Sequence, residues 1–214
     1  MKKHTKFAAL GVIAALTATA QAAEITFDDA ISGATFFDFD GDNDGTVDVR
    51  FSTTDPSGFN TIGPGLNQTY ISEPGLEGTT TLNPDLRVDF FFGAVGSLGF
   101  GFATSDIFEN VTSVTFTVFD DMDNMLGSTT VFSTFDTGSD FPEELLNLDF
   151  AGVAAYALFD FAGDADRYII DNFNGTFGNA EPRPGEVPVP GALALFAPVL
   201  AGGFLAKRRK AKTA

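Results

Sequence analysis

The stretch Asp40-Gly-Asp42-Asn-Asp44-Gly45-Thr46-Val-Asp48 sets carboxylates at every second position and places a glycine after the third of them. A tight loop of this pattern wraps its oxygens around one hard cation, and the cation it suits is calcium. Asp40, Asp42 and Asp44 offer side-chain oxygens, Thr46 offers its carbonyl, and Asp48 binds directly or through water. Gly45 permits the sharp turn, since a glycine takes a positive φ at no steric cost.

The loop resembles an EF-hand over its first nine positions, but its twelfth is Phe51, where a bidentate Glu is required, and no helical pattern flanks it. It is more similar to the DxDxDGxxD calcium loops of β-hairpins and thrombospondin type 3 repeats, with affinities of about 0.1 to 1 mM. Two further acidic turns, Asp120 to Asn124 and the group Asp160, Asp164 and Asp166, read first as polar hairpin turns and only second as cation sites.

Other chemistry is largely excluded by what the chain lacks. There is no cysteine, the single histidine is His4, and no lysine occurs between Lys6 and Lys207. Ser-His triads, thiol nucleophiles, Schiff bases and the usual zinc or iron sites are thereby removed from the body of the protein. Carboxylate chemistry remains, and a glycosidase needs two such groups at a set separation. No stretch carries a catalytic signature, so the reading is non-enzymatic.

These residues must be positioned by strands. Ser113 to Phe119 alternates Val114, Phe116 and Val118 against Ser113, Thr115 and Thr117, and Val47, Val49 and Phe51 alternate against Asp48 and Arg50. Further strands are expected at Glu24–Phe27, Thr35–Phe39, Leu86–Phe92, Leu98–Ala103, Leu126–Thr134, Leu146–Phe150, Ala154–Phe161 and Tyr168–Phe173, separated by Gly, Pro, Asn and Asp clusters. The expected fold is all-β, an antiparallel β-sandwich of jelly-roll type. One short helix is expected over Pro142–Asn147, capped by Asp140. Thr53 to Pro84 reads as a long loop with one strand near Gln68–Ser72, and its Tyr70 is the aromatic best placed to touch a ligand such as a polysaccharide.

Both ends carry addresses. Lys2, Lys3 and Lys6, the apolar run Phe7–Leu16 and the small-x-small step Ala20-Gln21-Ala22 form a secretory signal peptide, residues 1–22. The sandwich is expected over residues 23–180, and a Pro-rich linker over residues 181–190 ends in Val187, Pro188, Val189 and Pro190. Residues 191–206 are apolar or small and span about 24 Å as a helix, short against a hydrocarbon core of about 30 Å. Lys207, Arg208, Arg209 and Lys210 follow, a basic end, residues 207–214, that stays cytoplasmic by the positive-inside rule. Between these ends four arginines face all 29 Asp and Glu, a body charge of −25 that repels nucleic acid and anionic lipid.

A Pro-containing motif, a short apolar helix and a basic end resemble the PEP-CTERM sorting signal in its Val-Pro-x-Pro form. That resemblance implies a transient membrane anchor, processing by an exosortase, and delivery to the cell surface or the exopolysaccharide matrix. The order of pieces in the body is similar to ectodomains of that family, and Tyr168–Phe173 resembles the closing strand of galactose-binding-like jelly rolls. This second likeness implies a calcium site where first and last strands meet, from Asp28 or Asp29 with Asp171. The combined expectation is a calcium-stabilised surface protein with a structural or adhesive role in biofilm. The alternative is a carbohydrate-binding module of the same fold, and a carboxylate glycosidase stands third.

Overall fold

The computed structural model describes residues 21–61, 68–72, 74–82, 84–105, 112–135, 141–162 and 167–178. The chain divides into Met1–Asn179 and Ala180–Ala214, and all the described residues belong to the first. Residues 1–20, the linker with Val187–Pro190, the apolar segment and the basic end lie outside the described residues. Among the described residues no helix is long and apolar enough to cross a membrane.

Nine antiparallel strands form the described fold: β1 Gln21–Ile25, β2 Phe36–Phe39, β3 Val49–Ser52, β4 Leu76–Thr79, β5 Leu86–Ser105, β6 Ser113–Phe119, β7 Met125–Phe132, β8 Glu143–Ala162 and β9 Arg167–Phe177. They are hydrogen-bonded in the order β1-β9-β5-β8-β6-β7, with β3 on β5, β2 on β3, and β4 on β9. The two 20-residue strands give this sheet its two layers. Residues 87–90 of β5 pair with β3 and residues 86–89 with residues 156–159 of β8, whereas residues 94–105 pair with β9 and residues 94–103 with residues 143–154 of β8. The register shifts between Asp89 and Ala94, where Gly93 has φ 76° on β5 and Gly152 has φ 103° on β8. Such positive φ values are open to glycine and let each strand cross from one layer to the other.

Phenylalanines fill the space between the layers. Phe100 of β5 meets Phe116 of β6 edge-on at 5.1 Å, and Phe51 of β3 meets Phe173 of β9 at 5.1 Å, though neither pair of strands is hydrogen-bonded. These contacts join opposite layers and are the preferred edge-to-face geometry. Ile25, Val88, Leu146, Phe159 and Ile170 complete the main apolar core, and Ile71, Ala103 and Ile169 form a smaller cluster beside Phe141.

Three expectations need correction. Pro142–Asn147 is not a helix: β8 begins at Glu143, because Leu146 and Leu148 alternate into the core while Leu145 and Asn147 face outward, a period of two. The strand pairs expected at Leu86–Phe92 with Leu98–Ala103, and at Leu146–Phe150 with Ala154–Phe161, are each one bulged strand. Gln68–Ser72 forms no strand, while β4 lies later in the long connection. β1 starts at Gln21, so cleavage after Ala22 would leave Ala23, Glu24 and Ile25 to pair with β9.

Candidate functional site

The acidic loop closes the β2–β3 hairpin. Asp48 donates its backbone N–H to the Phe39 carbonyl at 2.8 Å, directly beyond the last register pair, Phe39 with Val49. Asn43 (φ 57°) and Gly45 (φ 89°) turn the chain back on itself. Inside the turn the side chains accept from the loop's own backbone: Asp40 from Asp44 and Gly45, Asp42 from Asp44, Asp44 from Thr46, and Asp48 from Gly41. One oxygen each from Asp40, Asp42 and Asp48 lies within 4.8 Å of the others. Asp44 is exposed and stands outside this group of three carboxylates.

Three like charges at this spacing disfavour one another. Burial raises the Asp48 carboxyl above its ordinary range, the Gly41 N–H partly offsets this, and the charges of Asp42, Asp40 and Asp44 raise it further. Among the described residues the cation nearest in sequence is Arg50, and it is engaged elsewhere. Its guanidinium grips Asp38 with two bonds of 2.6 and 2.7 Å and lies 4.8 Å from the Phe36 ring centre. A divalent ion drawn to the loop would find oxygens held by backbone donors and no competing cation among them.

The remaining expected residues are placed elsewhere. Asp28 and Asp29 sit exposed in the turn after β1, where Asp28 accepts from the Thr26 hydroxyl at 2.8 Å. Asp171 is buried in β9 and accepts from the backbone and hydroxyl of Ser72 at 2.9 and 2.8 Å, and its Oδ1 has no partner. No three-carboxylate group among the described residues includes these aspartates. Tyr70 is half-buried and fixed by its backbone: its N–H donates to Glu143 at 2.9 Å and its carbonyl accepts from Asn172 at 3.0 Å.

A second site escaped the sequence reading. A cleft of about 420 Å³ lies between the β1–β2 connection, the segment after β3, β4 and the start of β9. Glu77 and Thr79 face it because Leu76 and Gly78, the alternate residues of β4, face the core. Arg167, opposite Thr79 in register, reaches diagonally to pair with Glu77, and Asn60 also donates to that carboxylate. Burial raises the Glu77 carboxyl above its ordinary range, against the opposing pull of Arg167 and Asn60. Asp55, Ser57 and Ser32 line the mouth, and Phe59, 2% exposed, forms the floor. Glu77 and Arg167 lie far apart in the chain, so no local spacing could announce them.

No family model matches the chain, and no curated protein sequence matches it. Several solved structures resemble it. A carbohydrate-binding module, TmCBM27, described for specific mannan recognition, is 13% identical, with 75% of this chain and 99% of that chain covered and a TM-score of 0.44. A cleaved adhesin domain of Lys-gingipain from Porphyromonas gingivalis is 14% identical over 73% of this chain and 99% of its own, with a TM-score of 0.40. A family 29 carbohydrate-binding module variant is 15% identical over 80% and 100%, with a TM-score of 0.35. None of the three reaches 0.5, so what this chain binds is read from its own residues.

Proposed function

We propose that the protein is a non-catalytic β-sandwich of jelly-roll type that serves a structural or adhesive role outside the cell, with calcium held in the β2–β3 loop. It is exported by residues 1–22 and held briefly in the membrane by residues 191–206. An exosortase-type enzyme then processes it at Val187–Pro190, which delivers it to the surface or the exopolysaccharide matrix. The observation that carries the calcium reading is the convergence of Asp40, Asp42 and Asp48 within 4.8 Å. The test is thermal melting of the full chain in millimolar calcium and in excess chelator. Calcium at about 100 times its dissociation constant adds about 2.7 kcal/mol, a shift of several degrees for a domain of this size. An unchanged melting temperature would reject the metal.

A second reading, a carbohydrate-binding module, is favoured by the cleft at Glu77 and Arg167. Concave sites of about 300 to 1,000 Å³ with a few convergent polar groups are the usual seats of small ligands. The two readings are compatible, because the loop and the cleft share no residue.

A further inference from the structure

The geometry points to the Glu77–Arg167 cleft as a binding site for one or two residues of a neutral polysaccharide, with Asp55 and the Glu77–Arg167 pair hydrogen-bonding its hydroxyls. This inference rests on the carbohydrate-binding reading and assigns its site and ligand class.

The chemistry of the lining selects the ligand. A carboxylate accepts hydrogen bonds from two adjacent hydroxyls, and a guanidinium donates to hydroxyl oxygens in a fixed fork. Asp55 and Glu77 supply the acceptors, Arg167 the donors, and Ser57 a hydroxyl that does both, while the Thr79 hydroxyl is shared with Thr81. An anionic ligand meets two carboxylates for one guanidinium that is already paired. A cationic ligand would compete with Arg167 for Glu77 and face the displaced guanidinium. An apolar ligand would desolvate the charged lining with no return, since Phe59 is covered. A neutral polyol satisfies donors and acceptors together without separating the ion pair.

The cleft is also formed in advance. Gly33 donates to the Phe59 carbonyl at 2.7 Å and Phe59 donates to Ala34 at 2.8 Å, while Asn60 and Glu77 exchange two bonds of 2.9 Å. Ser57 donates its N–H to Asp55 at 2.8 Å and so orients that carboxylate at the mouth. A wall held by such bonds loses little freedom when a ligand enters.

The test is affinity electrophoresis of the detergent-solubilised full chain through gels containing galactomannan, xylan, a soluble β-glucan or dextran, with alginate as the anionic comparison. Each gel is run in calcium and in chelator. Retardation is expected on at least one neutral polymer and not on alginate. Asp55→Asn and Arg167→Lys should each weaken it by about tenfold or more, as the loss of a charge-assisted hydrogen bond implies. Ser57→Ala, which leaves the Glu77–Arg167 pair intact, should weaken it less, and the melting temperature of each variant shows that the fold survives. No retardation on any neutral polymer, or equal retardation of all the variants and the parent, would overturn the inference. Binding that persists in chelator without a calcium-dependent melt rejects the metal and keeps the cleft. A calcium-dependent melt without retardation does the reverse.

Discussion

In the β2–β3 loop, Asp40, Asp42 and Asp48 crowd together and draw hydrogen bonds from the backbone within nine residues of one another, whereas Glu143, Asp171 and Asp85 are buried and act across the chain. Glu143 accepts from Thr69 and Tyr70, 74 and 73 positions away, at 2.6 and 2.9 Å. Asp171 holds Ser72 from 99 positions away, and Asp85 accepts from Phe161 at 2.6 Å across 76. The loop set repel one another and gain from a cation. Each of the buried set accepts from a backbone N–H, although one oxygen of Asp85 and one of Asp171 stay unpartnered, and Glu143 and Asp171 fasten residues 68–72, which no strand pairing holds.

The largest effect should come from breaking a fastening. Glu143→Ala withdraws both acceptors from Thr69 and Tyr70 and should cost about 3 kcal/mol in chemical denaturation, since hydrogen bonds to charged groups contribute about 1.5 to 3 kcal/mol each and the freed donors partly regain water. A loss below about 1 kcal/mol would mean that the connection holds itself.

Next comes the pH dependence of Asp85. Burial pushes its carboxyl up to about 6, against the opposing hydrogen bond from Phe161. A carboxyl raised on folding stabilises the fold while protonated, so its contribution is full below about pH 4 and is lost as the pH rises to about 6. Asp85→Asn should therefore flatten the difference in stability between pH 4 and pH 7 by roughly 2 to 3 kcal/mol. Parallel curves for parent and variant would contradict this.

The acidic loop is probed by Asp42→Asn with Asp48→Asn, which removes two charges while each amide oxygen still accepts the one backbone bond that its carboxylate accepted. The melting shift between calcium and chelator, worth about 2.7 kcal/mol at saturation, should vanish while the chelator value stays close to the parent's. A variant that keeps the shift would place the metal elsewhere. The smallest effect is expected from Arg50→Ala, which loses a partly exposed pair with Asp38 and a contact with Phe36, together about 1 kcal/mol by denaturation.

What could be read from the chain follows the range of the interaction. Val114, Phe116 and Val118 alternate with threonines, and β6 spans Ser113–Phe119 as expected, since that signal lies within seven residues. The acidic loop was legible for the same reason, although Asp44 stands aside from the three carboxylates that converge. Pro142–Asn147 misled because Glu143 and Glu144 suit a helix's first turn, whereas Glu143 is claimed by Thr69 and Tyr70. The cleft was invisible for a related reason, as Glu77 meets Arg167 only after β4 has paired with β9.

The pairing of β1 with β9 bears on how the molecule would carry force. Gln21 lies opposite Phe177, so the two ends of the described chain emerge side by side, and β9 is flanked by β1, β4 and β5. A pull on the chain beyond Phe177 would run along β9 and load those ladders lengthwise, in shear, many bonds sharing the tension instead of parting one by one. In a protein tethered by its last residues and stuck to something by its flank, the strand nearest the tether would then be among the hardest to draw out.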